Sequence, residues 1–271
     1  MKSKGNGFRI YAILYLGFLY APIVLLPIFA FNNSTVISFP LVGFTTQWFQ
    51  ALVTDTSLLL AVRHSLIVAV SVSILATTFG VFAARATTRY KFPGKGGLMG
   101  MIMLPLVLPD IIIAVALLGA ITNILGMKLS LITVIFGHTL IATPFTIAIL
   151  NSAFQSLDRS LEEAAYDLGE TKISTFRLII LPLVMPGIIS AMLIAFTISL
   201  DEYIIAAFLS GTEATLPVYI FSQFRFPQRV PVIMALGTIL VCLSIVLLTV
   251  AEYFRRRGIA KAGGKSSGGF L

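Results

Sequence analysis

Charge is what this chain lacks. Asp, Glu, Lys and Arg make up only 11% of its 271 residues, where a soluble domain averages about 25%. That leaves too little polar surface to face water on every side, which excludes an ordinary soluble domain. Cysteine occurs once, at Cys242 inside an apolar run, so no intramolecular disulfide can form. Histidine occurs twice, at His64 and His138, with no Cys or carboxylate cluster beside either. A metal site is therefore not expected, and no Ser-His-Asp constellation stands in a credible context. The chain reads as a non-catalytic protein.

Apolar sequence is abundant instead. Hydrophobic residues are 58% of the chain, and mean hydropathy is +0.99. Uncharged runs reach the roughly 20 residues a helix needs to cross a bilayer. A membrane β-barrel would show short alternating segments instead. The expected fold class is an all-α integral membrane protein with six transmembrane helices. The spans fall at Ile10–Phe31, about Ser65–Ala84, within Leu98–Thr122, within Leu129–Leu157, at Leu178–Leu200 and at Val230–Ala251. The first apolar run exceeds a signal-peptide core and lacks a small-x-small cleavage site, so it reads as a retained helix.

Lys and Arg set the orientation. Alternate loops, taken with both termini, carry 15 basic residues against 4 in the opposite set. Both termini and the loop between spans four and five are expected in the cytoplasm. The formal net charge of +8 is then a topogenic signal, and nucleic acid is not an expected partner. On the outer side, "FTTQWFQAL" places Phe44, Trp48, Phe49 and Leu52 at helical spacing, as in a short interfacial helix against membrane lipid. The segment "GGKSS" at 263–267 resembles the end of a phosphate-binding loop. The required glycine is absent, because Ile259 stands there, and no strand precedes it.

The loop between spans four and five holds eight charged side chains from Asp158 to Arg177. "SLEE" fits a capping box, with Ser160 as N-cap and Glu163 three residues on. Leu161, Ala164, Ala165 and Leu168 fall on one helical face. Gly169 can stop the helix in a left-handed conformation. Pro182 and Pro186 each remove a backbone donor and bend the entry to span five. Small alanines let another backbone approach, so the short helix is either a docking element or a solvated interfacial loop. Arg159 and Arg177 either meet a partner surface or follow the positive-inside rule.

Glu163-Ala164-Ala165, then Gly169, Ile179 and Leu181-Pro182, resembles the "EAA" signature of bacterial ATP-binding-cassette importer permeases. Seven positions match at fixed spacing. "LPDIIIAVALL", "HTLIATPFTIAIL", "SLDEYIIAAFLSG" and "LPVYIFSQFRF" are similar to the second permease subunit of spermidine/putrescine importers. "RHSL" at 63–66 departs from that pattern, since many relatives carry Asn where His64 stands. The resemblance implies a type I importer transmembrane-domain fold with a cytoplasmic coupling helix, in a bacterial inner membrane. It also implies coupling to a separate ATPase through Glu163, Ala164, Ala165, Gly169, Leu181 and Pro182. ATP and Mg would be bound by two partner ATPase subunits, with no cofactor in this chain. The other implied partners are a second, different permease subunit and an extracytoplasmic solute-binding protein. The expected divisions are a first helix and outer loop at 1–57, an importer core at 58–252 and a basic, disordered cytoplasmic tail at 253–271.

Four residues are candidates for a substrate path. Asp110 is the ionisable group inside span three, where a carboxylate costs about 2.5–3.5 kcal/mol to insert. It lines a path, or it caps the helix restarted after Pro109, and the two roles can coexist. Asp201 and Glu202 end span five, where acids at a helix C-terminus oppose the dipole. They would focus field for a cationic solute, with Tyr203 available to stack on it. A polyamine or a related small amine is the expected substrate. Another small solute, such as an opine, an amino-acid derivative or a phosphonate, is the alternative. The competing class is a stand-alone secondary transporter, which would show inverted repeats and more buried ionisable groups.

Overall fold

Helices account for the regular structure of the computed structural model, which describes residues 4–261. Along the chain, α1 (Lys4–Ala30), α2 (Gln47–Thr54), α3 (Thr56–Arg89), α4 (Lys95–Met103) and α5 (Asp110–Gly119) come first. They are followed by α6 (Leu131–Gln155), α7 (Ser160–Asp167), α8 (Lys172–Thr175) and α9 (Leu181–Asp201). Then come α10 (Ile204–Leu209), α11 (Leu216–Gln223) and α12 (Val230–Lys261). Residues 253–261 of the tail expected to be disordered instead continue α12, and "GGKSS" lies outside the described residues.

Five helical runs are long and apolar enough to cross a membrane, and a bent pair makes the sixth. That pair corrects the third expected span. Lys95–Leu106 and Asp110–Ile124 are separate pieces bent 105° apart. Pro109 takes an extended conformation with ψ 135° and offers no N–H to a preceding turn. Its ring also biases Leu108 away from helical geometry. The chain leaves one helix there and starts another at Asp110.

Ser57–Phe221 forms one compact unit. Its largest core cluster joins Val68, Val72 and Ala76 of α3, Ala114 of α5, Ala142 of α6, Ala195 of α9 and Ala206 of α10. Small residues let these helices meet closely, which is how helices associate where lipid gives no hydrophobic drive. A Cβ added at Gly187 would stand 2.6 Å from the Ala153 Cβ, and one at Gly80 would stand 2.6 Å from the Thr146 Oγ1. Hydrogen bonds also cross the bundle, among them Thr146 to the Ala76 carbonyl at 2.8 Å and Ser73 to that of Met192 at 3.0 Å. A second cluster, with Ala84, Leu150, Phe154, Ile180 and Val184, carries the packing along toward α7.

The second unit comprises Met1–Thr56 and Ser222–Leu271. Within its described part α1 is almost wholly exposed, as a lipid-facing helix would be, and Leu26 packs near Gly237 of α12. The outer segment is pinned by Asn32, whose side chain accepts from Val42 N–H and whose carbonyl accepts from the Trp48 indole. The interfacial helix expected from "FTTQWFQAL" is α2, with Leu52 buried and Phe49 against Phe31. Phe44 is not on it. That residue bridges to Asn32 and stays 82% exposed.

Candidate functional site

The charged island folds as a stopped helix. α7 begins at Ser160, and the Asp158 carboxylate accepts the Ser160 amide at 3.0 Å. That amide, with the Ser160 hydroxyl, holds the Asp158 carboxyl below its ordinary range. The expected capping box is therefore corrected. Ser160 lies inside the first turn, and Asp158, two residues earlier, supplies the acceptor. At the other end Gly169 has φ +88°. Glu170 N–H bonds to the Ala165 carbonyl and Gly169 N–H to that of Tyr166, which is a Schellman stop.

One face of α7 is buried, and it differs from the face read from apolar spacing. Glu162 and Ala165 point inward, while Leu161, Glu163, Ala164 and Leu168 are exposed. Glu162 is held by two arginines of α3. Arg89 Nε reaches its Oε1 at 2.6 Å, and Arg85 Nη2 reaches its Oε2 at 3.3 Å. Arg89 also donates to the Leu157 carbonyl, and Arg159 donates to the Thr88 carbonyl. The first part of the island is thus clamped to the last turns of α3. Sequence reasoning missed Glu162, Arg85 and Arg89. No local signal marks them, because the partners lie 77 and 73 residues apart in the chain.

Beyond Gly169 the chain re-enters a helix. Thr171 caps α8 through the Ser174 amide. Residues 176–180 form a π turn, with Leu181 N–H bonding to the Phe176 carbonyl. Pro182, exposed, sits in the first turn of α9, Leu181 is half-buried, and Pro186 lies within α9. The widened turn meets the helix where Pro182 and Pro186 have no donor to give.

The four candidate path residues cluster at two helix breaks. Asp110 starts α5 and is exposed. It makes no side-chain cap, although an acid in a first turn suits the dipole. Asp201 ends α9 and is exposed. Glu202 is half-buried, and its Oε1 accepts the Ile205 amide at 2.9 Å. This overturns the dipole expectation for Glu202. The chain extends at this residue and restarts as α10, so Glu202 stands at a helix N-terminus, where an acid is favoured. Burial pushes its carboxyl above the ordinary range, the Ile205 amide opposes that, and the Asp110 carboxylate adds to it. Asp110 and Glu202 are therefore electrostatic neighbours. Tyr203 stacks on Phe221, with ring centroids 4.6 Å apart. Among the described residues no group of three His, Cys, Asp or Glu side chains could hold a metal ion.

His64 anchors the loop that follows α10. Its Nδ1 donates to the Ala214 carbonyl at 3.1 Å, and Ser65 accepts the Leu216 amide at 2.8 Å. "RHSL" thus ties α3 to the start of α11.

Residues 76–258 match the family described as binding-protein-dependent transport system inner membrane component. The chain is 38% identical over 254 residues to the putrescine transport system permease protein PotI of Escherichia coli (strain K12), covering 90% of each. It is 35% identical over 240 residues to the spermidine/putrescine transport system permease protein PotC of the same strain, covering 88% of this chain and 90% of that one. Among solved structures, a bacterial ABC transporter involved in the import of the acidic polysaccharide alginate superposes with a TM-score of 0.70. That match covers 94% of this chain and 98% of the other at 16% identity, a likeness of fold.

Proposed function

The chain belongs to the inner membrane components of binding-protein-dependent transport systems, and from that premise we propose that it admits a polyamine, such as putrescine or spermidine, or a related small amine. It works with a second, different permease subunit, two ATPase subunits that bind ATP and Mg, and an extracytoplasmic solute-binding protein. The loop carrying α7 faces the cytoplasm, by the excess of Lys and Arg on that side.

α7 is the coupling helix. The observation that carries this reading is its two-faced build. Glu162 and Ala165 bind it to its own chain, while Leu161 and Leu168, 44% and 86% exposed, point away with Glu163 and Ala164. Exposed leucines on a charged loop need a partner surface, and a separate ATPase subunit supplies it. Movement of α7 then reaches α3 through Glu162 and α9 through Gly169, Leu181 and Pro182.

Asp110, Asp201 and Glu202 with Tyr203 form this chain's share of a cation path. A carboxylate that is half-buried and repelled by a second one gains from an approaching ammonium. The names of the two relatives support the amine class. The test is ATP-driven uptake of labelled putrescine and spermidine into proteoliposomes holding the whole complex. Uptake of amines that falls in Asp110→Asn and Asp201→Asn, with the complex still assembled, supports the reading. Uptake of a neutral or anionic solute with no amine uptake overturns it.

A further inference from the structure

A cavity of about 330 Å³ opens between α3 and the α8–π-turn segment. Phe82, Arg85, Tyr90, Lys172, Ile173 and Phe176 line it. Its walls are apolar and its polar groups are cationic or phenolic. Arg85 lies across it, with its guanidinium carbon 5.0 Å from the centre of the Phe176 ring. Arg85 Nη2 is engaged by Glu162, but Nη1 is buried with no hydrogen-bond partner. A buried guanidinium N–H left unsatisfied is costly. Arg85 and Arg89 also share a single Glu162 carboxylate, so positive charge remains in excess. Among the described residues no carboxylate pairs with Lys172.

From this geometry we infer that the cavity binds the phosphate of an anionic phospholipid, with the start of an acyl chain against Phe82, Ile173 and Phe176. The headgroup oxygen supplies the acceptor that Arg85 Nη1 lacks and a counter-charge for Lys172. The position suits a lipid. The cavity lies at the end of the long apolar α3, where Tyr90 is half exposed, and Ile173 and Phe82 are 81% and 68% exposed at its mouth. Basic pockets between spans at the membrane face are fitted to acidic headgroups. Because Arg85 also holds Glu162, the bound lipid touches the clamp that secures α7.

The test uses the assembled transporter in nanodiscs of phosphatidylcholine, with and without phosphatidylglycerol. Native mass spectrometry counts retained lipids, and a photoreactive acyl chain on either lipid reports the contact site. Phosphatidylglycerol should be retained over phosphatidylcholine and should crosslink to α3 and α8. Lys172→Gln should weaken that retention about fivefold, and Arg85→Gln should weaken it as well. Excess inorganic phosphate should not displace the lipid. Equal retention of both lipids, unchanged retention in Lys172→Gln, or displacement by inorganic phosphate overturns the inference. So does crosslinking of the probe to the ATPase subunit in place of α3 and α8.

Discussion

Replacing Glu162 with Gln removes the carboxylate that two guanidiniums share. The side chains of Arg85, Arg89 and Glu162 are only 16%, 10% and 12% exposed, so solvent does little to stabilise the arginines once the charge is gone. Taking one partner from a buried ion pair costs about 3–5 kcal/mol. The residual exposure and the surviving amide acceptor put the expected cost at the lower end, about 3 kcal/mol. At about 1.4 kcal/mol per tenfold, α7 should separate from α3 roughly a hundredfold more often. Hydrogen exchange on the assembled complex measures this directly. The amides of α7 should exchange about a hundredfold faster in Glu162→Gln, with the middle of α3 unchanged. Asp167→Asn is the control, because Asp167 is exposed on the same helix and takes no part in the clamp, so its change should leave α7 protection as it was. Equal protection in Glu162→Gln and the parent, or a larger loss in Asp167→Asn, would refute the clamp.

Three further outcomes follow from the same structure. Gly169→Ala meets no atom within 4 Å yet must hold φ +88°. The backbone alone should cost about 1–2 kcal/mol, read as faster exchange of the Gly169 and Glu170 amides. Gly187→Val brings a Cβ to within 2.6 Å of Ala153. It should push α9 from α6 and destabilise the purified complex by about 1–3 kcal/mol, seen as a lower Tm. The raised Glu202 pKa gives amine uptake an acid limb. The carboxylate is fully charged well above its raised pKa, and the cation site is lost as pH falls through it. Removing the Asp110 charge with Asp110→Asn should move that limb to lower pH besides reducing uptake. A limb that stays in place in a pH–uptake profile would remove Asp110 from contact with Glu202.

Much of the architecture was legible in the residue pattern because bilayer thickness dictates the length of a span. Six apolar runs, the restart after Pro109 and the left-handed Gly169 are local features, and each appears where local chemistry put it. The clamp is different. Arg85 and Arg89 reach Glu162 across 77 and 73 residues, and nothing within a helical turn announces such a pair. As sequence, the arginines read only as positive-inside charges. The signature also drew attention to Glu163, whereas packing buries its neighbour. Glu202 was misplaced for a related reason. An uncharged run followed by two acids resembles a helix end, but only the backbone shows that a new helix starts at Ile204. The 105° bend between α4 and α5 likewise depends on how the pieces pack, which the prolines permit without setting.

The most direct measurement is substrate-stimulated ATP hydrolysis by the purified complex carrying Gly169→Asp. If α7 is the element through which the ATPase and the permease communicate, this complex should remain assembled and keep its basal hydrolysis. It should also lose stimulation by the loaded binding protein. Normal stimulation in an assembled Gly169→Asp complex would contradict the assignment of α7 as the coupling helix.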